Sequence, residues 1–218
     1  MPFDFVKPRF LLCEGDDDKG FLETLIKEHA LPDFQVCAAA ECNAQKQGGR
    51  SGFRLSLDSG IQVLSGFGQL RAILIVSDND KAGSFAEVQA ELAFNGHTPP
   101  VSTDTVGTVF GKPVAVLMVP ADGQGDLEKV CFPEICRVWP KANECVSAFM
   151  ACTGADKWAK PASINKARAR AASVGFYEPD PFKGIGHLFR NGTLSTANAC
   201  FEPLVGFLKA FDAMVGIR

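Results

Sequence analysis

Continuous apolar runs in the first 120 residues predict the strands of a buried β-sheet. The four runs are PRFLLC (8–13), LPDFQVCAAA (31–40), RAILIVSD (71–78) and VAVLMV (114–119). Runs of this kind, in contrast to alternating patterns, are typical of strands covered on both faces. Between them, apolar residues recur at helical spacing in residues 19–29 and 84–94. This alternation of strands and helices predicts a mainly parallel sheet flanked by helices, which is an α/β fold.

Three segments between these elements are less regular. Residues 41–52 have no hydrophobic period and predict a loop. RLSLDSGIQVLSGFG (54–68) favours a helix that is interrupted at Gly60. A further short strand is expected around Val109.

The pattern becomes purely helical after Pro133. Helices are expected near 142–153, 162–174 and 203–215, whereas the Gly-, Pro- and Asn-rich residues 175–198 predict a loop or lid. The sequence therefore predicts an α/β core in residues 1–133 and a helical C-terminal extension, residues 134–218, packed on that core.

The composition of the 218 residues is that of a globular protein, with 46% apolar and 22% charged residues. No apolar run approaches the roughly 18–20 residues of a membrane span. The N-terminal MPFDFVKPRF lacks the apolar core of a secretory signal. We therefore expect a cytoplasmic protein with no membrane contact. Because the net charge is −3, nucleic-acid binding would depend on a local basic patch or on metal ions.

The eight cysteines include no C-x-x-C pair, which argues against a zinc knuckle. Most of them stand among apolar residues, as in FLLC, FQVC and SAFMAC. We expect free, buried thiols in a reducing compartment.

Acidic residues follow three of the predicted buried strands. They are Glu14 and Asp16–Asp18 after the first, Asp78 and Asp80 after the third, and Asp122, Asp126 and Glu128 after the last. The carboxyl ends of parallel strands lie at one edge of the sheet, where α/β proteins place their sites. Converging carboxylates are hard oxygen ligands, which predicts a site for Mg²⁺ or Mn²⁺.

Helix capping is the alternative explanation for part of this acidity. Acidic residues stabilise helix N-termini, and each acidic group precedes a predicted helix. Capping alone would account for Asp16, Asp17, Asp18 and Asp126. It does not account for Glu14, which directly follows a strand, or for both Asp78 and Asp80.

The order and spacing of these motifs resemble the Toprim domain. FLLCEGDDDKGFLETLI ends a strand in Glu14-Gly15, and LIVSDND ends a later strand in Asp78-Asn79-Asp80. The likeness covers roughly residues 8–130. It is greatest to stand-alone Toprim-like proteins of unknown function that are related to the overcoming-lysogenization-defect nucleases.

The Toprim resemblance implies metal-dependent phosphodiester chemistry. Glu14 would act as a metal ligand or general acid/base, and Asp78 and Asp80 would hold Mg²⁺. Glu128 is a candidate ligand for a second metal ion. Related nucleases also use a late lysine, for which Lys166 is the candidate, to stabilise charge in the transition state.

KWAKPASINKARAR (157–170) contains five cations and, after Lys157, no acidic residue. The cations are Lys157, Lys160, Lys166, Arg168 and Arg170. They would face the phosphates of a nucleic acid beside the metal site. The alternative is a solvated helix face without a partner.

The sequence thus predicts Mg²⁺- or Mn²⁺-dependent phosphodiester chemistry on nucleic acid, as in a Toprim-type nuclease. One alternative is a non-catalytic module that binds nucleic acid or a partner protein, or assembles as a homo-oligomer. Another is a phosphoreceiver-like regulatory domain, in which Asp78 would accept a phosphoryl group. The Glu-Gly sequence at the first strand end, in place of adjacent acids, argues against the receiver.

Overall fold

One five-stranded sheet forms the centre of the computed structural model, which describes residues 4–58, 64–177, 179–180 and 182–217. The strands are β1 (Arg9–Cys13), β2 (Phe34–Ala38), β3 (Ala72–Asp78), β4 (Gly107–Val109) and β5 (Lys112–Val119). They lie in the order β2-β1-β3-β5-β4, and only β4 is antiparallel to its neighbour. The predicted α/β fold with a mainly parallel sheet is confirmed.

Helices cover both faces of this sheet. They are α1 (Asp16–Glu28), α2 (Ala39–Cys42), α3 (Ser51–Asp58), α4 (Ser84–Leu92), α5 (Leu127–Val138), α6 (Ala142–Thr153), α7 (Pro161–Phe176), α8 (Ile185–Arg190) and α9 (Glu202–Val215). The helices expected near 142–153, 162–174 and 203–215 are α6, α7 and α9. Within the described segments, no helix has both the length and the apolar character needed to cross a membrane.

The continuous apolar runs are explained by burial on both sides of the sheet. In β3, Ile73 and Ile75 pack with α3 and α4, whereas Leu74 and Val76 pack on the opposite face with α1, α5 and α9. Side chains of a strand alternate between the two faces, and here both faces are apolar. All four residues are buried.

Parallel pairing brings the strand ends to one edge. Cys13 at the end of β1 lies in register with Val76 of β3, and Asp78 lies in register with Val119 of β5. The ends of these three strands therefore lie at the same edge, as the sequence predicts.

The C-terminal helices share one core with the sheet. Helix α5 runs without interruption through residue 133, where the predicted core and extension were divided. Phe211 of α9 packs against Phe34 of β2 with ring centroids 5.1 Å apart. Phe189 of α8 and Phe21 of α1 are 5.0 Å apart. The extension thus covers one face of the sheet.

The prediction of an irregular loop over 175–198 is wrong for α8. Glycine allows this short helix to lie close to α1, because a Cβ at Gly186 would be 2.4 Å from the carbonyl oxygen of Asp17. The predicted helix over 54–68 is α3, which begins earlier and ends at Asp58. The interruption predicted at Gly60 lies outside the described residues.

Free, buried thiols are not found at every cysteine. Cys37 and Cys42 form a disulfide, because α2 is a single turn that returns the chain towards the end of β2. Cys145 and Cys152 are free but exposed on α6. Cys13 and Cys131 are free and buried, as predicted.

Candidate active site

Glu14 links the ends of β1 and β3. Its Oε1 accepts hydrogen bonds from the Ser77 hydroxyl at 2.6 Å and from the Asp78 backbone N–H at 3.1 Å. Glu14 is half-buried immediately after β1, and its carbonyl accepts the Gly49 N–H at 3.0 Å. The geometry therefore brings Glu14 beside Asp78, as the strand order predicts.

Asp78 ends β3 and touches the start of α5. Its Oδ1 accepts the N–H of Leu127, the first residue of that helix, at 3.0 Å. Burial, followed by the negative charges of Asp18 and Glu14, raises the pKa of Asp78 from 3.8 to about 9. Carboxylates that share a confined space hold protons in this way.

Asp18 is a member of this cluster that the sequence interpretation assigned to helix capping and so missed as a site residue. Its Oδ2 accepts the Gly15 N–H at 2.9 Å, so it does act as a helix-terminal acceptor. Burial, followed by the charges of Glu14 and Glu128, also raises its pKa from 3.8 to about 7. The feature of the sequence that could have indicated this role is its position in the first turn of α1, directly after the end of β1.

Asp80 lies in a different environment from Asp78. It pairs with the Arg50 guanidinium and accepts the Ser84 hydroxyl at 3.0 Å. Burial acts to raise the pKa of Asp80, but the hydrogen bonds from Arg50 and Ser84 outweigh it and lower the pKa. Asp80 is therefore held as an anion by an internal cation.

Arg50 is the second residue that the sequence interpretation missed. Its Nε donates to the Ser77 hydroxyl at 3.0 Å and lies 3.4 Å from Glu14 Oε1, and its Nη1 donates to Glu87 at 2.8 Å. Only 13% of the Arg50 side chain is exposed. Arg50 thus connects Glu14 and Asp80 from the segment that was predicted to be a loop.

Six carboxylate side chains line a cavity of about 420 Å³, which we call the acidic cavity. Its lining side chains include Glu14, Asp16, Asp17, Asp18, Asp78, Glu128, Lys166 and Arg170. Burial raises the pKa of Glu128, and the charge of Lys166 offsets this only in part. Burial would lower the pKa of Lys166, but the charges of Glu128 and Asp78 raise it, so this lysine is cationic at neutral pH.

The five predicted cations of the basic segment lie in three different places. Lys166 and Arg170 line the acidic cavity. Arg168 instead lies over the Phe132 ring, 4.3 Å from its centroid, and points towards α5. Lys157 and Lys160 are exposed before and at the start of α7. The structure therefore brings two of the five predicted cations to the carboxylates.

The donor set of the acidic cavity fits Mg²⁺ or Mn²⁺, because carboxylate oxygens are the ligands that these ions prefer. Glu14, Asp18, Asp78 and Glu128 face one cavity with Lys166 as counter-charge. As the described side chains stand, no group of three or more His, Cys, Asp or Glu residues is arranged to hold an ion. Coordination would therefore require these side chains to leave their present hydrogen bonds.

Neither the curated proteins nor the solved structures contain a match to this chain. A family model described as "Protein of unknown function (DUF3226)" matches residues 8–211, which include every strand and all of the acidic cavity. The chain therefore belongs to the DUF3226 family.

Proposed function

We propose that the acidic cavity is the active site of a Mg²⁺- or Mn²⁺-dependent enzyme that hydrolyses phosphodiester bonds in nucleic acid. The observation that carries this proposal is the gathering of Glu14, Asp18, Asp78 and Glu128 around one cavity beside Lys166. The Toprim resemblance of Glu14-Gly15 and Asp78-Asn79-Asp80 agrees with it.

The four carboxylates would hold the metal. Burial, and after it the negative charges of neighbouring carboxylates, raises the pKa values of Asp18 and Asp78, and a bound cation would act in the opposite direction. A divalent ion bound there would supply a Lewis acid for a phosphate oxygen and a water of lowered pKa. Asp18 and Asp78 would release their protons on binding, because only the ionised carboxylate is a good ligand.

The cations around the cavity have separate tasks in this proposal. Lys166 faces Glu128 and Asp78, so its ammonium group would neutralise charge that develops on the reacting phosphate. Arg170 would orient the neighbouring phosphate at the mouth of the same cavity. Arg50 pairs with Glu14 and Asp80 and so positions them, but neither Arg50 nor Asp80 lines the acidic cavity.

The test compares wild type with Asp78→Asn and Glu14→Gln, and uses Asp104→Asn, an exposed acid in the 101–106 turn, as the matched control. Substrates are end-labelled single- and double-stranded DNA and RNA, each with Mg²⁺, Mn²⁺ or EDTA. We expect metal-dependent cleavage that falls at least about 100-fold in both site variants and is unchanged in the control.

Two results would contradict this proposal. Equal cleavage by all four proteins would remove the roles of Glu14 and Asp78. Nucleic-acid binding that EDTA does not affect, with no cleavage under any metal condition, would instead indicate a non-catalytic binding module.

A further inference from the structure

A second cavity, of about 250 Å³, lies beside the acidic cavity, and we call it the basic cavity. Its walls come from α1, α5, α7 and residues 183–185. The two cavities share Asp17, Glu128, Lys166, Arg170 and Gly184. The two cavities therefore adjoin at these residues.

Three cations line the basic cavity, namely Lys166, Arg170 and Lys183. Arg170 Nη1 donates to the carbonyl oxygens of Phe182 at 2.8 Å and Lys183 at 3.3 Å, which fixes the guanidinium at the cavity wall. The other N–H groups of its fork are the donors that recognise phosphate.

The acidic groups of the basic cavity have other partners. Asp17 Oδ1 accepts the Gly186 N–H at 2.9 Å, so Asp17 is engaged in joining α1 to α8. Glu128 is the chief counter-charge of Lys166. Among the described residues, Lys183 pairs with the partly exposed Asp180, at 3.5 Å, and a surface pair of this kind is weak. Arg170 and Lys183 are therefore the cations that an anionic ligand would engage.

We propose that the basic cavity binds the terminal phosphate monoester of a single-stranded nucleic acid, while the adjoining phosphodiester lies in the acidic cavity. The second half of this statement rests on the proposed function. A phosphate monoester carries a charge of about −1.5 to −2 and three acceptor oxygens at neutral pH. A phosphodiester carries a single charge. Because Glu128 offsets the charge of Lys166, the two cations that match the higher charge of the terminal group are Arg170 and Lys183.

The size and walls of the two cavities favour a strand end over a duplex. The acidic cavity lies between the strand ends on one side and Lys166, Arg170 and Gly184 on the other, and about 420 Å³ is the volume of a small-ligand site. Stacked base pairs exceed that space. The basic cavity beyond it is walled by four parts of the chain. The terminal phosphate of a single strand that enters from the acidic side can therefore lie among these residues.

The test measures binding in EDTA, so that no cleavage occurs. Short single strands of one sequence, labelled on an internal base, carry a 5′-phosphate, a 3′-phosphate or hydroxyl groups at both ends, and a circular strand has no end. By fluorescence anisotropy, wild type should bind one of the two phosphorylated strands about tenfold more tightly than the hydroxyl strand or the circle.

Two variants and one control locate the effect. Arg170→Gln and Lys183→Gln should lose the tenfold preference, and Lys209→Gln on the exposed side of α9 should keep it. Within the part of the chain that the structure describes, the ion pair that Lys183→Gln removes is the surface pair with Asp180, so this variant tests the site even if Arg170→Gln disturbs residues 182–183.

The outcomes separate this inference from the proposed function. Equal binding of all four strands by wild type, or loss of the preference in Lys209→Gln as well, overturns the terminal-phosphate site. If hydroxyl-ended strands are nevertheless cleaved with Mg²⁺ or Mn²⁺, the proposed phosphodiester hydrolysis is supported without the terminal-phosphate site. A preference abolished by Lys183→Gln, without cleavage under any metal condition, supports the site and overturns the catalytic proposal.

Discussion

At the scale of single residues, the guanidinium of Arg50 neutralises the carboxylates that surround the end of β3. It contacts Glu14, Asp80 and Glu87, and its side chain is 13% exposed. Removal of one partner from a largely buried charge network leaves the others without compensation. The three carboxylates would then repel one another at the edge of the sheet.

We predict that Arg50→Met, which keeps the apolar stem, lowers the free energy of unfolding by about 2–4 kcal/mol. Arg71→Met, at an exposed arginine on the opposite edge of the sheet, should change it by less than about 0.5 kcal/mol. Urea unfolding of both variants at neutral pH provides the comparison. Equal stability of Arg50→Met and wild type would show that the network contributes little.

The same residues show which parts of the candidate site can be predicted from the sequence. Glu14 and Asp78 are predictable neighbours, because both follow strands that parallel pairing brings to one edge. The position of Arg50 cannot be predicted, because its segment has no hydrophobic period and its partners Ser77 and Glu87 lie 27 and 37 residues away in the sequence. Asp18 has the sequence position of an ordinary helix cap, and only the packing of α1 against the sheet edge gives it a second role.

At the scale of elements, the buried carboxylate of Glu134 joins α5 to the segment before α9. It accepts two hydrogen bonds from Arg137 at 2.7 Å, one from the Ser195 N–H at 2.9 Å and one from Asn198 at 3.3 Å. Burial acts to raise the pKa of Glu134, but these hydrogen bonds outweigh it and lower the pKa below 4.5. The ionised form is therefore the one that stabilises the fold.

Because the pKa of Glu134 is lower in the folded state than in the unfolded one, its contribution is present above about pH 4.5 and is lost as the pH falls through the folded value. We predict that Glu134→Gln lowers the free energy of unfolding by about 1–3 kcal/mol at pH 7. The difference from wild type should narrow at pH 3. Thermal unfolding at both pH values measures this stability difference, and Glu144→Gln, at an exposed position on α6, is the control. A difference that does not change with pH would contradict the assigned role of the charge.

Elements are predictable where a pattern is long and tertiary contacts agree with it. The helices α6, α7 and α9 each begin and end within two residues of the expected positions. Helix α8 has six residues, too few to show a period, and it follows the loop-forming Gly184. It forms because Leu188 and Phe189 are buried against α1 and its neighbours. That contact joins parts of the chain some 170 residues apart. The sequence around α8 therefore contains no pattern that would predict it.

At the scale of the whole molecule, the sheet and the C-terminal helices depend on one another. Leu11, Leu74 and Leu117 on one face of the sheet belong to the same apolar cluster as Leu204 and Leu208 of α9. A sheet of buried parallel strands requires cover on both faces. Residue 133 therefore marks the point where the sequence pattern becomes purely helical, whereas the hydrophobic core is continuous across it.

We predict that a fragment of residues 1–138, which contains every strand and ends with α5, does not fold cooperatively on its own. In the fragment, α1 and α5 still cover part of the sheet face that carries Leu74 and Phe34, but the surface that α9 covers would be exposed to water, at a cost of about 25 cal/mol per Å² of apolar surface. Near-UV circular dichroism and urea unfolding should show no native packing for the fragment. Co-expression with residues 139–218 is the matched control and should restore both signals, because it returns the missing cover without a covalent link. A fragment that unfolds cooperatively by itself would instead show that the α/β part is an independent domain and that the helices are an accessory to it.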